Sequence, residues 1–226
     1  MKVILTGSTG FIGAEVLQQC LRSPSITSII AISRRTLPAT LTAGSAKLKV
    51  VVLDDFLSYP DAVLHELDGA SACVWSLGSA RFSDHATFRR MTVDYATAAA
   101  KAFSTLPSAS TPFRFVFLSG VLAERNQDKS LWFLGDGRRI KGQAENELLH
   151  IADEHPDGLQ AFVARPAAVL AKEGGWKGAL LGLGPSIPVD ELAAAMIGVA
   201  MTGCEKRILE NTELALKGRD ALVKGL

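Results

Sequence analysis

The feature that most constrains the fold lies at the N-terminus, where MKVILTGSTGFIGAEV sets Gly7, Gly10 and Gly13 directly after a short apolar run. An aliphatic run that enters a helical pattern through three glycines reads as strand, tight turn, helix. Such a turn lets the backbone approach a pyrophosphate and aims the amides of a helix N-terminus at its charge. The spacing is G-x-x-G-x-x-G rather than G-x-G-x-x-G, a loose match to the general fingerprint. Its place after the first strand of a βαβ unit selects nucleotide binding over a bare turn.

Further along, VILT (3–6), SIIAI (28–32), KLKVVVL (47–53), ACVWS (72–76), FRFVFLS (113–119) and LQAFVA (159–164) read as buried strands. Helical patterns lie between them, clearest at 11–22, 86–104 and 138–155. This alternation predicts an α/β fold, a doubly wound parallel sheet of the Rossmann type, with ligands at the carboxyl ends of the strands. The 226 residues suffice for one substantial core, and no linker divides them, so the expectation is a single domain over 1–226. Within it, 171–226 forms a small C-terminal region: a Gly-rich substrate-side loop at 171–188, then helices from near Val189.

The balance of 24 Lys and Arg against 23 Asp and Glu gives no charge-driven case for nucleic acid or an anionic membrane. A small-molecule partner fits better. Hydrophobic residues reach 48%, yet charges, Gly or Pro interrupt every apolar stretch before the about 20 residues that span a bilayer. Cys20, Cys73 and Cys204 are odd in number, far apart and set in apolar segments, which argues against disulfides and a metal site. A reducing, cytoplasmic location is expected, with Met1 read as the true start because a cleaved signal would remove the glycine turn.

The cofactor is narrowed by an absence. An NAD-binding fold usually places an acid about 20 residues past the glycines to hold the ribose 2′-hydroxyl. No Asp or Glu occurs between Glu15 and Asp54. Just past the second strand stand Ser33, Arg34 and Arg35, a hydroxyl and two guanidiniums suited to a 2′-phosphate, which points to NADP(H).

With TGSTGFIG, SRR, LDDF, SLG, VDY, FLSG, IKGQAENEL and ARPAAV in order, the chain resembles the atypical short-chain dehydrogenase/reductases with extended-type glycine motifs. Within that family it looks most like the branch containing the Tat-interacting protein, an NADPH-binding regulator. The resemblance implies that Gly7, Thr9, Gly10, Phe11 and Ile12 line the pyrophosphate, and that Asp54 or Asp55 approaches the adenine. It places Leu77 and Gly78 beside the adenosine ribose, Lys141 on the nicotinamide ribose and Pro166 beside the nicotinamide. It also implies that helices 86–104 and 138–155 correspond to the pair through which many relatives dimerise, so a homodimer is among the expectations.

The catalytic signature departs from the family. Relatives carry a tyrosine one helical turn before the lysine, where the ammonium lowers the phenol's pKa from about 10. Here that position is Gly137, and the two tyrosines, Tyr59 and Tyr95, lie elsewhere in the sequence. The serine partner of relatives corresponds to Ser119 or to one of the next positions, Gly120 and Val121, while Lys141 could also be the i,i+4 partner of Glu145 on a solvated face. His85, Glu124 and Asp136 are further candidate acid/base groups, and Trp132 with Phe133 a candidate apolar substrate wall. The resulting expectation is an NADPH-dependent oxidoreductase of a small apolar or activated carbonyl or enone compound. The alternatives are a non-redox isomerase, lyase or cyclase on the same scaffold, and an NADPH-responsive regulatory interaction protein.

Overall fold

Six strands anticipated from the sequence pair in register: β1 (Lys2–Thr6), β2 (Ser28–Ser33), β3 (Leu48–Val52), β4 (Ala70–Trp75), β5 (Phe113–Leu118) and β6 (Leu159–Arg165). With β9 (Ile208–Glu210) they form a seven-stranded sheet in the order β3-β2-β1-β4-β5-β6-β9, every neighbouring pair parallel. The computed structural model describes residues 1–38, 41, 45–78, 84–106, 112–172 and 184–225.

The strands read as near-continuous apolar runs because both faces of the sheet are covered. Alternate side chains divide between the faces with the period of two that a pleated strand imposes. The row Ile4, Ile30, Cys73, Phe115 points to one side, and the neighbouring row Leu5, Ala31, Val74, Val116 to the other. On the first side lie α4 (Tyr95–Ser104) and α5 (Gly135–Glu154), whose Ala96, Ala99, Phe103 and Leu148 pack on the strands. Aromatic rings fill this layer, with Trp75 stacked on Phe115 at 5.5 Å and met edge-on by Phe56 at 5.9 Å. The second side is covered by α1 (Phe11–Arg22), α6 (Val189–Thr202) and α7 (Asn211–Lys224) through Val16, Leu17, Met196 and Leu214.

The helix expected over 86–104 is built in three parts: α3 (His85–Arg89), a π-helical turn (Arg90–Asp94) and α4. The helix expected from 138 begins earlier, at Gly135, after Leu134 adopts a left-handed conformation with φ 48°. Four elements had no counterpart in the sequence reading: α2 (Asp61–Leu67), β9, and a minor parallel pair, β7 (Ala168–Leu170) with β8 (Ser186–Pro188). Three-residue strands are too short to show a period, so their pairing partners define them. Most of the loop expected at 171–188, and residues 79–83 of the stretch before α3, lie outside the described residues.

Candidate active site

The glycine turn connects β1 to α1, and its three glycines serve different ends. Gly7 has φ +70°, and a Cβ there would lie 2.4 Å from the Ser76 carbonyl oxygen. A Cβ on Gly13 would lie 2.2 Å from the Gly7 carbonyl oxygen. Both positions are closed by the protein's own backbone, so glycine there is a requirement of the fold. At Gly10 the nearest protein atom to such a Cβ is the Gly7 carbonyl oxygen at 3.2 Å, and no other lies within 4 Å. Gly10 is also the N-cap of α1, with no side-chain cap and no acid in the first turn, so the first amides of the helix keep their donors for a ligand.

That helix N-terminus opens on a cavity of about 440 Å³ at the carboxyl ends of β1, β4, β5 and β6. Ser76, Leu77 and Gly78 enter from β4, Ser119 and Gly120 from β5, Lys141 from α5, and Pro166 with Ala167 from β6. The Ser76 hydroxyl donates to the Thr6 carbonyl oxygen at 2.6 Å, which ties the ends of β4 and β1 together beneath the glycine turn. Phe88 and Thr92 complete the wall from the helix that contains the π-turn. Wide turns of this kind recur at functional sites because they re-aim the side chains around them. No sequence signal marks a π-turn, so these two residues were missed.

Lys141 is the cavity's one titratable side chain among the described residues. Its ammonium donates to the Ser119 carbonyl oxygen at 3.2 Å. Burial lowers its pKa from the ordinary lysine value, partly offset by the Glu145 charge. The alternative role for Lys141, a solvated i,i+4 pair with Glu145, does not match this geometry. Glu145 has no exposed surface; its carboxylate accepts from the Ser119 hydroxyl at 2.5 Å and from Arg165 Nε at 2.9 Å, and forms a still closer pair with Arg165 Nη2. Arg165 reaches on to Glu210 at 3.1 Å. The buried Glu145–Arg165 pair was missed because Glu145 sits in a charged string that reads as a solvated face.

The remaining candidates are dispersed. Ser33, Arg34 and Arg35 stand at the carboxyl end of β2, and the two guanidiniums are exposed with no ion pair among the described residues. Asp54 is exposed, whereas Asp55 is held by Arg90 at 3.2 Å and by the Leu57 amide. His85 and Asp136 approach within 3.3 Å, but on an exposed shallow depression with Arg89 and Arg139 that shares no residue with the cavity around Lys141. Trp132 is 96% exposed and Phe133 50% exposed; neither lines the cavity. Tyr95 packs on Phe56 at 5.6 Å beneath the Arg90 guanidinium, and the partly buried Tyr59 packs edge-on to Phe103. Gly137 lies inside α5, so neither tyrosine stands one turn before Lys141. Among the described residues no cluster of three or more His, Cys, Asp or Glu side chains forms a metal site, and no helix is long and apolar enough to cross a membrane.

Known proteins align with this geometry at several levels. No protein-family model matches the chain. Leucinostatins biosynthesis cluster protein T of Purpureocillium lilacinum is 35% identical over 152 residues, which cover 67% of this chain and 52% of that protein. The chain thus spans about half the length of that relative. Protein FMP52, mitochondrial, of Candida albicans is 21% identical over an alignment covering 99% of this chain and 97% of its own. Several further relatives carry the same mitochondrial name, which overturns the cytoplasmic expectation: free cysteines do not discriminate between reducing compartments. Among solved structures, Gre2 of Candida albicans in complex with NADPH superposes with a TM-score of 0.73 at 17% identity, covering 94% of this chain and 78% of that one. Vestitone reductase of alfalfa superposes at 0.68 with 18% identity, covering 92% and 76%. The chain has the Rossmann-type fold of these proteins, with its cavity at the strand ends where that fold places a ligand.

Proposed function

We propose that the chain binds NADPH and reduces a small apolar or activated carbonyl or enone compound without a catalytic tyrosine. The observation that carries this reading is the contrast within the glycine turn: Gly7 and Gly13 are closed by backbone, while Gly10 faces the cavity at the uncapped head of α1. The residues present fit a dinucleotide. Gly10, Thr9, Phe11 and Ile12 would hold the pyrophosphate, with Leu77 and Gly78 beside the adenosine ribose. Asp54 is the freer partner for the adenine, since Asp55 is engaged by Arg90. The exposed Arg34 and Arg35, with Ser33, would take the 2′-phosphate, and Lys141 and Pro166 would border the nicotinamide end.

When bound, the dihydronicotinamide supplies a hydride to an acceptor carbon. The protein's part is to position and to exclude water: Phe88, Phe117, Leu118 and Val169 give the cavity an apolar wall suited to a small apolar acceptor. Gre2, solved with NADPH, supports a nicotinamide cofactor by its shared fold, and the Fmp52 relatives support a mitochondrial setting for the activity. The test is calorimetric titration with NADPH and NADH. NADPH is expected to bind at least about tenfold tighter, about 1.4 kcal/mol; equal affinities, or no binding, would overturn the reading. A non-redox isomerase, lyase or cyclase draws on the lack of a phenol at the cavity, and product formed without NADPH oxidation would identify it.

A further inference from the structure

We propose that Lys141 is itself the acid of this site, its Nζ giving up the proton that the acceptor's oxygen takes as a carbonyl is reduced. This rests on the nicotinamide reading above and adds to it the identity of the proton donor. The geometry reaches Lys141 by elimination. Of the side chains that enter the cavity among the described residues, those with a polar hydrogen are Ser76, Thr92, Ser119 and Lys141. The Ser76 hydroxyl is spent on the Thr6 carbonyl oxygen, and the Ser119 hydroxyl on the Glu145 carboxylate. Thr92 carries a hydroxyl whose ordinary acidity is far too weak to donate a proton near neutrality. Of the other acid/base candidates named from sequence, His85 and Asp136 face a different depression, and Glu124 does not line the cavity and pairs with Lys129 at 2.7 Å.

Lys141 is held for the task. One of its three ammonium donors goes to the Ser119 carbonyl oxygen at 3.2 Å, and two remain. A Cβ on Gly120 would lie 3.2 Å from Nζ, so glycine at 120 leaves the ammonium room beside the cavity. The charged groups around it are few. On its own helix Glu145 is the nearest acid, and Arg165 of β6 neutralises that carboxylate. Among the described residues, the end of β5 presents the Ser119 carbonyl, and the head of α1, the end of β4 and the Phe88–Thr92 turn bring no titratable group into the cavity. The ammonium therefore has no close ion-pair partner of its own among the described residues, and burial makes it a stronger acid than a surface lysine.

The step balances simply. The acceptor carbon gains a hydride and its two electrons from the dihydronicotinamide, which is oxidised. The carbonyl π pair becomes the new O–H bond, taking a proton from Nζ as one N–H bond breaks. The neutral amine then regains a proton from water.

The test separates an acid from a fixed positive charge. Lys141→Arg keeps the charge but cannot release a proton near neutrality, while Lys141→Met removes both. With phenanthrenequinone and cinnamaldehyde as probes at saturating NADPH, turnover is expected to fall roughly 100-fold or more in both variants. The wild type should also lose rate at alkaline pH through a limb that Lys141→Arg does not show. Wild-type turnover in Lys141→Arg would overturn the proposal. Independently of any activity, the Nζ signal of Lys141, assigned by its loss in Lys141→Met, is followed by nitrogen NMR against pH without cofactor. A midpoint below that of the surface lysines is expected, and titration together with them would overturn the acid role. Failure of the wild type to bind NADPH in the same preparation would instead overturn the nicotinamide reading.

Discussion

The α-carbon of Gly13 packs so closely on the Gly7 carbonyl oxygen that a Cβ there would lie 2.2 Å from it. Gly7 in turn takes φ +70° to run beneath the Ser76 carbonyl, so the turn is locked from both ends before any ligand is considered. Gly13→Ala is therefore expected to cost about 1–3 kcal/mol of stability through overpacking. Gly10→Val should leave thermal unfolding much closer to wild type and abolish NADPH binding. Thermal melts of both variants with and without NADPH check this, and a cofactor-induced shift preserved in Gly10→Val would make the whole turn structural.

Arg34 and Arg35 are exposed at the end of β2 and make no ion pair among the described residues. Replacing both by Ala should leave stability within about 0.5 kcal/mol. NADPH affinity should fall to that of NADH, which itself stays unchanged. Calorimetric titrations at two salt concentrations decide it, since the NADPH preference of the wild type should shrink as salt screens the 2′-phosphate.

Glu145 and Arg165 form a buried, hydrogen-bonded ion pair behind Ser119. Arg165→Met strands the Glu145 carboxylate in the interior and is expected to cost about 3–5 kcal/mol, whereas Glu145→Met leaves Arg165 its partly exposed pair with Glu210 and should cost less. Replacing both with Met should cost much less than the sum, because no buried charge is stranded. Urea unfolding of the two single variants and the double variant measures the coupling, and simple additivity would deny it.

Burial lowers the pKa of Lys141 in the folded chain below the value it has when unfolded. Between the two values the unfolded chain holds more protons, so this group's contribution to stability rises with pH. Its penalty is full below the lowered folded pKa and fades toward the ordinary lysine range. Lys141→Met should consequently gain most over wild type near neutrality and lose that advantage above about pH 10. Urea unfolding across this range, without cofactor, reads the difference; a constant offset would show that burial does not perturb the ammonium.

The local chemistry of this chain determines a great deal by itself. The apolar runs at 3–6, 28–32 and 113–119 are strands because residues buried on both faces need no polar alternation, and the glycine turn follows from the backbone freedom that its path demands. The lack of an acid between Glu15 and Asp54 and the presence of Arg34 and Arg35 are equally properties of the string. Tertiary structure alone decided what depends on contacts between distant segments. β9 exists because Val163–Arg165 offers an edge to Ile208–Glu210, and the π-turn at Arg90–Asp94 brings Phe88 and Thr92 to the cavity. Glu145 belongs to the interior because Arg165, twenty residues on in the chain, neutralises it there. Its neighbour one turn earlier, Lys141, is left with a carbonyl instead of a carboxylate as its hydrogen-bond acceptor. A sequence window shows each charge with its i,i+4 neighbour, but the free energy of a buried charge is set by whatever the fold places against it, and here that partner comes from another strand.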